Sequence, residues 1–80
     1  MPAIFRWKGF RFFFFSNEGK EPPHVHVAKD SCEAKFWLKD CSLAYNDDFK
    51  HNDLKRLKKI IKEQRAFFLE KWYEHEERKY

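Results

Sequence analysis

The sequence predicts an α+β domain: an antiparallel sheet of three or four strands, opened by an N-terminal hairpin and covered by one long C-terminal helix. Two observations carry that reading. From Ile4 to about Leu43, short aromatic and β-branched runs are punctuated by Gly, Pro and Asn, the pattern of strands and turns. From about Asn52 the apolar residues recur instead at three- and four-residue intervals, the period of a helix. Eighty residues suffice for one domain, placed over 1–80 with the sheet in 1–43 and the helix in 52–76.

Each element has its own signal. Ile4 to Trp7 and Phe10 to Phe15 flank Lys8-Gly9, a two-residue hairpin turn in which Gly9 supplies positive φ. On the second strand Phe10, Phe12 and Phe14 point one way, while Arg11, Phe13 and Phe15 point the other. Such a strand is either covered on both faces or offers an aromatic face to a partner. Ser16 to Pro23 reads as a polar loop closed by a stiff Pro pair. His24 to Val27 is a third strand and Glu33 to Leu38 a fourth, parted at Lys29-Asp30-Ser31. Asn46-Asp47-Asp48 reads as the turn before the helix, with Asn52 as its N-cap or an earlier opening at Lys50 or His51. The helix carries an apolar stripe through Leu54, Leu57, Ile61, Gln64, Phe68 and Trp72.

Composition excludes several classes. Ten Phe, three Trp and three Tyr give a small chain large rings to bury, each worth about 150–250 Å². At 38% charged, with no apolar run of the roughly 18 residues a membrane span needs, the chain is expected to avoid the membrane. Met1 to Trp7 lacks the long apolar region of a secretory signal, so a reducing cytoplasm is expected. Cys32 and Cys41 match no redox or zinc spacing, and no disulfide is expected. Neither a Gly-rich phosphate loop nor a dinucleotide fingerprint is present, so no nucleotide cofactor is expected.

The segment Glu21-Pro22-Pro23-His24-Val25-His26-Val27 carries the most chemistry. On a strand His24 and His26 share a face about 7 Å apart, with Val25 and Val27 turned to the core. Two imidazoles can act as acid and base on an RNA phosphodiester, with Arg11 and Lys35 holding the phosphate charge. That assignment makes the chain a ribonuclease-like enzyme. Alternatively, Glu21, His24 and His26 could ligate a divalent metal. The bland alternative is two half-exposed imidazoles on the polar face of an edge strand.

The helix offers two further surfaces. Lys55, Arg56, Lys58, Lys59 and Lys62 form a basic face opposite the apolar stripe, suited to RNA, DNA or an acidic protein, or simply a solvated face. Basic residues at the start of a helix oppose its macrodipole, so local helix stability did not select them. Ala66, Leu69, Trp72 and Tyr73 form a candidate protein interface, for a homodimer or a partner chain.

The run Phe10-Arg11-Phe12-Phe13-Phe14-Phe15-Ser16-Asn17-Glu18-Gly19, followed by Glu21-Pro22-Pro23-His24-Val25-His26-Val27, resembles a small prokaryotic family of unknown function. Further matches are Met1-Pro2 with Phe5-Arg6, Ala34-Lys35-Phe36-Trp37-Leu38, and Leu69-Glu70-Lys71-Trp72. Lys50-His51 stands where members usually show a Ser-Pro helix start. The resemblance implies a bacterial or phage cytosol and a two-gene, toxin–antitoxin-like cassette. Its second gene would encode a small antitoxin-like partner protein. It implies no catalytic residues. The expectation drawn from all of this is an RNA-binding or RNA-cleaving component, with a non-catalytic interaction module or a metal-binding protein as alternatives.

Overall fold

Lys8 and Gly9 both take positive φ, 47° and 86°, the two-residue turn whose twist matches that of a hairpin. This turn fixes Trp7 opposite Phe10, Arg6 opposite Arg11 and Phe5 opposite Phe12 in β1 (Phe5–Trp7) and β2 (Phe10–Phe13). The computed structural model describes residues 3–15 and 21–77. The loop expected at Ser16 to Lys20 and the opening Met1-Pro2 lie outside the described residues.

Three more strands follow: β3 (His24–Lys29), β4 (Cys32–Trp37) and β5 (Leu43–Asp47). All pairings are antiparallel and the order is β1-β2-β3-β4-β5. The described residues thus form a five-stranded sheet, one strand more than expected. The addition is β5, where the sequence suggested a turn. It is an edge strand of mostly exposed residues, so it lacks the half-buried alternation that reveals a strand, and Asn46-Asp47 speak against one. A register shift between Lys35 and Phe36 fits Ala44 in as an extra residue. The β4–β5 turn is braced by Asp40, which accepts from the Ser42 hydroxyl at 2.6 Å and the Ser42 N–H at 3.0 Å. Those two bonds hold the exposed Asp40 carboxyl below the ordinary aspartate range.

The expected single helix is two: α1 (His51–Glu63) and α2 (Arg65–Glu77). Lys50 caps α1 without a side-chain bond, while Asn46 both accepts from and donates to the Phe49 backbone just before it. The break at Gln64 is local, since backbone bonds run through it from Gln64 N to Ile60 O and from Phe68 N to Gln64 O. A contact from far along the chain meets it here. Arg65 Nε donates to the Leu38 carbonyl at 2.6 Å and its Nη2 to the Lys39 carbonyl at 3.2 Å, fastening the bend to the β4–β5 turn. The apolar stripe survives the bend, with Leu57, Ile61, Phe68 and Trp72 all buried.

The helices cover one face of the sheet. Phe12, Val25, Val27, Ala34 and Phe36 meet them there, with Phe12 stacked on Phe68 at 5.5 Å between ring centres. Burying a large apolar side chain is worth about 1.5–3 kcal/mol, so these rings supply much of the driving force. Cys32 and Cys41 are free thiols.

Candidate functional site

Opposite residues in the ladder share a face, so the register determines what lies on the side the helices leave open. His26 lies between Phe13 and Lys35, and Lys35 faces Tyr45 on β5. His24 pairs with Trp37. Arg11 faces Ala28, one step along the strand from the Phe13–His26 pair.

The two imidazoles are closer together than the strand spacing alone requires, with ring centres 5.2 Å apart. They are also buried, His24 at 0% and His26 at 3% exposed. The expectation of half-exposed rings on an edge strand is therefore corrected: β3 is the central strand, walled by neighbours on both sides. Phe13 stacks on His26 at 5.6 Å, Phe15 meets it edge-on at 4.4 Å, and Trp72 of α2 lies 4.9 Å from His24. His24 Nδ1 donates to the Pro22 carbonyl at 2.8 Å, so the stiff Pro pair sets the ring's orientation and tautomer.

Glu21 joins this group as the sequence suggested, but through Lys35. Lys35 Nζ donates to Glu21 Oε1 at 2.7 Å and lies 4.8 Å from the Trp37 ring centre. The other Glu21 oxygen is 3.9 Å from His24 Nε2. Among the described residues no group of three or more His, Cys, Asp and Glu is arranged to hold a metal ion. Arg11 stands apart from this cluster, exposed at a groove of about 530 Å³ on the open face.

That groove has a charge pattern the sequence reading missed. Arg6 and Arg11 line it from β1 and β2, Phe13 and Phe15 form an apolar wall, and Asp30, Glu33 and Asp47 lie towards β4 and β5. The signal was available for Arg6, because a two-residue turn at Lys8-Gly9 forces it opposite Arg11. Nothing local announced Asp47, whose strand was not legible.

On the other side of the molecule the basic helix face is present in full. Lys55, Arg56, Lys58, Lys59 and Lys62 are all exposed, and the four lysines line a shallow depression of about 300 Å³. Arg56 and Lys59 also border a groove of about 430 Å³ with Trp7, Lys8, Ile60 and Glu63. The basic surface therefore continues from α1 onto the hairpin turn, a continuity that sequence spacing could not show. None of these six cations pairs with a carboxylate among the described residues. The expected interface on α2 separates into two kinds of residue. Tyr73 and Ala66 are exposed and Leu69 is half-buried, whereas Trp72 belongs to the core.

A family model described as Domain of unknown function (DUF4160) matches residues 9–73. The chain belongs to this family. The match spans β2 to β5, α1 and most of α2, and so includes both the His-x-His strand and the basic face of this DUF4160 domain. No curated protein and no solved structure matches the chain. No helix among the described residues is long and apolar enough to cross a membrane.

Proposed function

We propose that this DUF4160 domain binds RNA through the basic face of α1 and the hairpin turn beside it. In this reading it is the RNA-contacting member of a cytosolic toxin–antitoxin-like pair, as the family resemblance implies. One observation carries the proposal: Lys8, Lys55, Arg56, Lys58, Lys59 and Lys62 form one exposed surface without carboxylate partners among the described residues. Cations left without internal partners on one surface are the footprint of a phosphate backbone, whose neutralisation releases counterions. Trp7, half-buried at the edge of that surface, stacks on Phe10 and has the Lys8 ammonium 5.2 Å from its ring centre, which holds that charge beside the groove.

The burial of His24 and His26 favours binding over cleavage. A general acid or base must come within about 3 Å of the proton it moves, and these rings lie beneath Phe13, Phe15 and Trp72. The motif then acts as a brace that joins β3 to α2. The test is incubation with a labelled single-stranded RNA. Wild-type protein should retain the RNA intact, and the double substitution Lys55→Glu with Lys59→Glu should weaken binding at least tenfold. Unaltered binding in that variant contradicts the proposal. So does cleavage by the wild type that disappears with His26→Gln, which supports the ribonuclease-like reading instead.

A further inference from the structure

The open sheet face carries a row of five residues set side by side by the ladder: Arg6, Arg11, Ala28, Glu33 and Asp47, one from each strand in order. The signs run positive, positive, neutral, negative, negative. With strands about 4.8 Å apart, the row spans about 19 Å. Within one copy this order is poor. Like charges directly opposite one another on a sheet repel, and alternating signs would have paired them. Neither arginine forms an ion pair with a carboxylate among the described residues.

The row is antisymmetric about Ala28, and that property selects an occupant. We infer that this face docks on a second copy of the same chain, related by a two-fold axis running along β3 above Ala28. That rotation lays β1 over β5 and β2 over β4. Arg6 then meets Asp47 of the second copy and Arg11 meets Glu33, each pairing occurring twice, as an isologous contact requires. At the axis Ala28 presents only a methyl group, 9% exposed, which lets the sheets approach to the roughly 10 Å of packed sheets. Phe15 and Tyr45, 39% and 41% exposed, both lie on the Phe13–His26 side of the row and add ring area there, while the Tyr45 hydroxyl donates to one Glu33 oxygen and leaves the other for a guanidinium.

Charge also separates this face from the RNA surface. The groove holds two guanidinium groups against the carboxylates of Asp30, Glu33 and Asp47, a balance unsuited to a polyanion. A second copy neutralises both halves of the row at once. Because the helices cover the opposite side of the sheet, the dimer leaves both basic α1 faces outward.

Light scattering across a concentration series tests this. Wild-type protein should show twice the 9.9 kDa chain mass, and Arg11→Glu or Glu33→Arg should each raise the dissociation constant at least tenfold while circular dichroism stays native. Mixing the two variants should restore a dimer, because each then supplies the charge the other needs. Should either variant fail to fold, Arg6→Glu mixed with Asp47→Arg poses the same question. Three results overturn the inference: a wild type that stays at 9.9 kDa throughout, charge variants that remain dimeric, or a mixture that stays monomeric. A monomer whose RNA affinity drops with Arg11→Glu assigns the face to RNA. A monomer without that change assigns it to a different protein.

Discussion

The His24 ring lies 4.9 Å from the ring of Trp72, so the most conspicuous motif of the sequence is fastened to the helix that closes the core. Phe14 completes the contact from β2's extension, 5.3 Å from Trp72. A domain of this size holds a net stability of about 4–12 kcal/mol, so single buried contacts of this kind matter. Trp72→Ala is expected to cost about 3–5 kcal/mol and His24→Ala about 2 kcal/mol, read from urea unfolding monitored by circular dichroism. A His24→Ala variant as stable as the wild type contradicts the bracing role.

Arg65 tests the origin of the helix break. Its guanidinium bonds to the Leu38 and Lys39 carbonyls hold the bend against the β4–β5 turn. Arg65→Ala is expected to cost about 1.5–3 kcal/mol, the range for hydrogen bonds to charged groups. Amide exchange should rise first around Lys39 and Gln64. Uniform change across the sheet instead places the effect elsewhere.

The hairpin turn makes a backbone prediction. Gly9 sits at φ 86°, and a Cβ there lies 3.3 Å from Lys29 Cε. Lys29 can give way, since that atom belongs to a flexible side chain, but the left-handed backbone cannot be relaxed. Gly9→Ala is therefore expected to cost about 1–2 kcal/mol, measured by thermal unfolding.

Asp40 makes a prediction about pH. Its folded carboxyl titrates below its ordinary value because Ser42 donates two bonds to it. A depressed acid contributes stability above the ordinary aspartate value and loses it as pH falls through the folded value. Ser42→Ala removes the hydroxyl bond, moves the titration upward and brings the acid-side loss to higher pH. Carboxyl carbon shifts followed by NMR from pH 6 downward check the direction.

How far the sequence reveals this architecture depends on whether each signal is local. The hairpin was legible because Lys8-Gly9 dictates both a turn and a register. The apolar stripe from Leu57 to Trp72 was legible because it follows the helical period even across the bend. β5 was not, since an exposed edge strand needs only β4 beside it and no apolar alternation of its own. The burial of the His pair has another source, because the expected β2 and β4 already flank β3: the rings are covered by Phe13, Phe15, Trp37 and Trp72, contacts that no local pattern announces. The break at Gln64 was illegible because no Gly or Pro marks it, and the contact that fastens it, Arg65 on Leu38, spans 27 residues. Helical spacing places Lys55, Arg56, Lys58, Lys59 and Lys62 together and all five are exposed, whereas the continuation of that surface onto Lys8 is visible only in the packed structure. Trp72 was assigned to two stripes, and packing resolved it to the core.

The most direct measurement of the central claim is fluorescence anisotropy of a labelled single-stranded RNA titrated with wild-type protein at stepped salt concentrations. Each neutralised phosphate contributes about −0.7 to the slope of log affinity against log salt, so contacts by five or six cations predict a slope of about −3.5 to −4.2. Lys55→Gln with Lys59→Gln should make that slope shallower by about 1.4. No binding at low salt, or a slope indifferent to the two substitutions, contradicts the account.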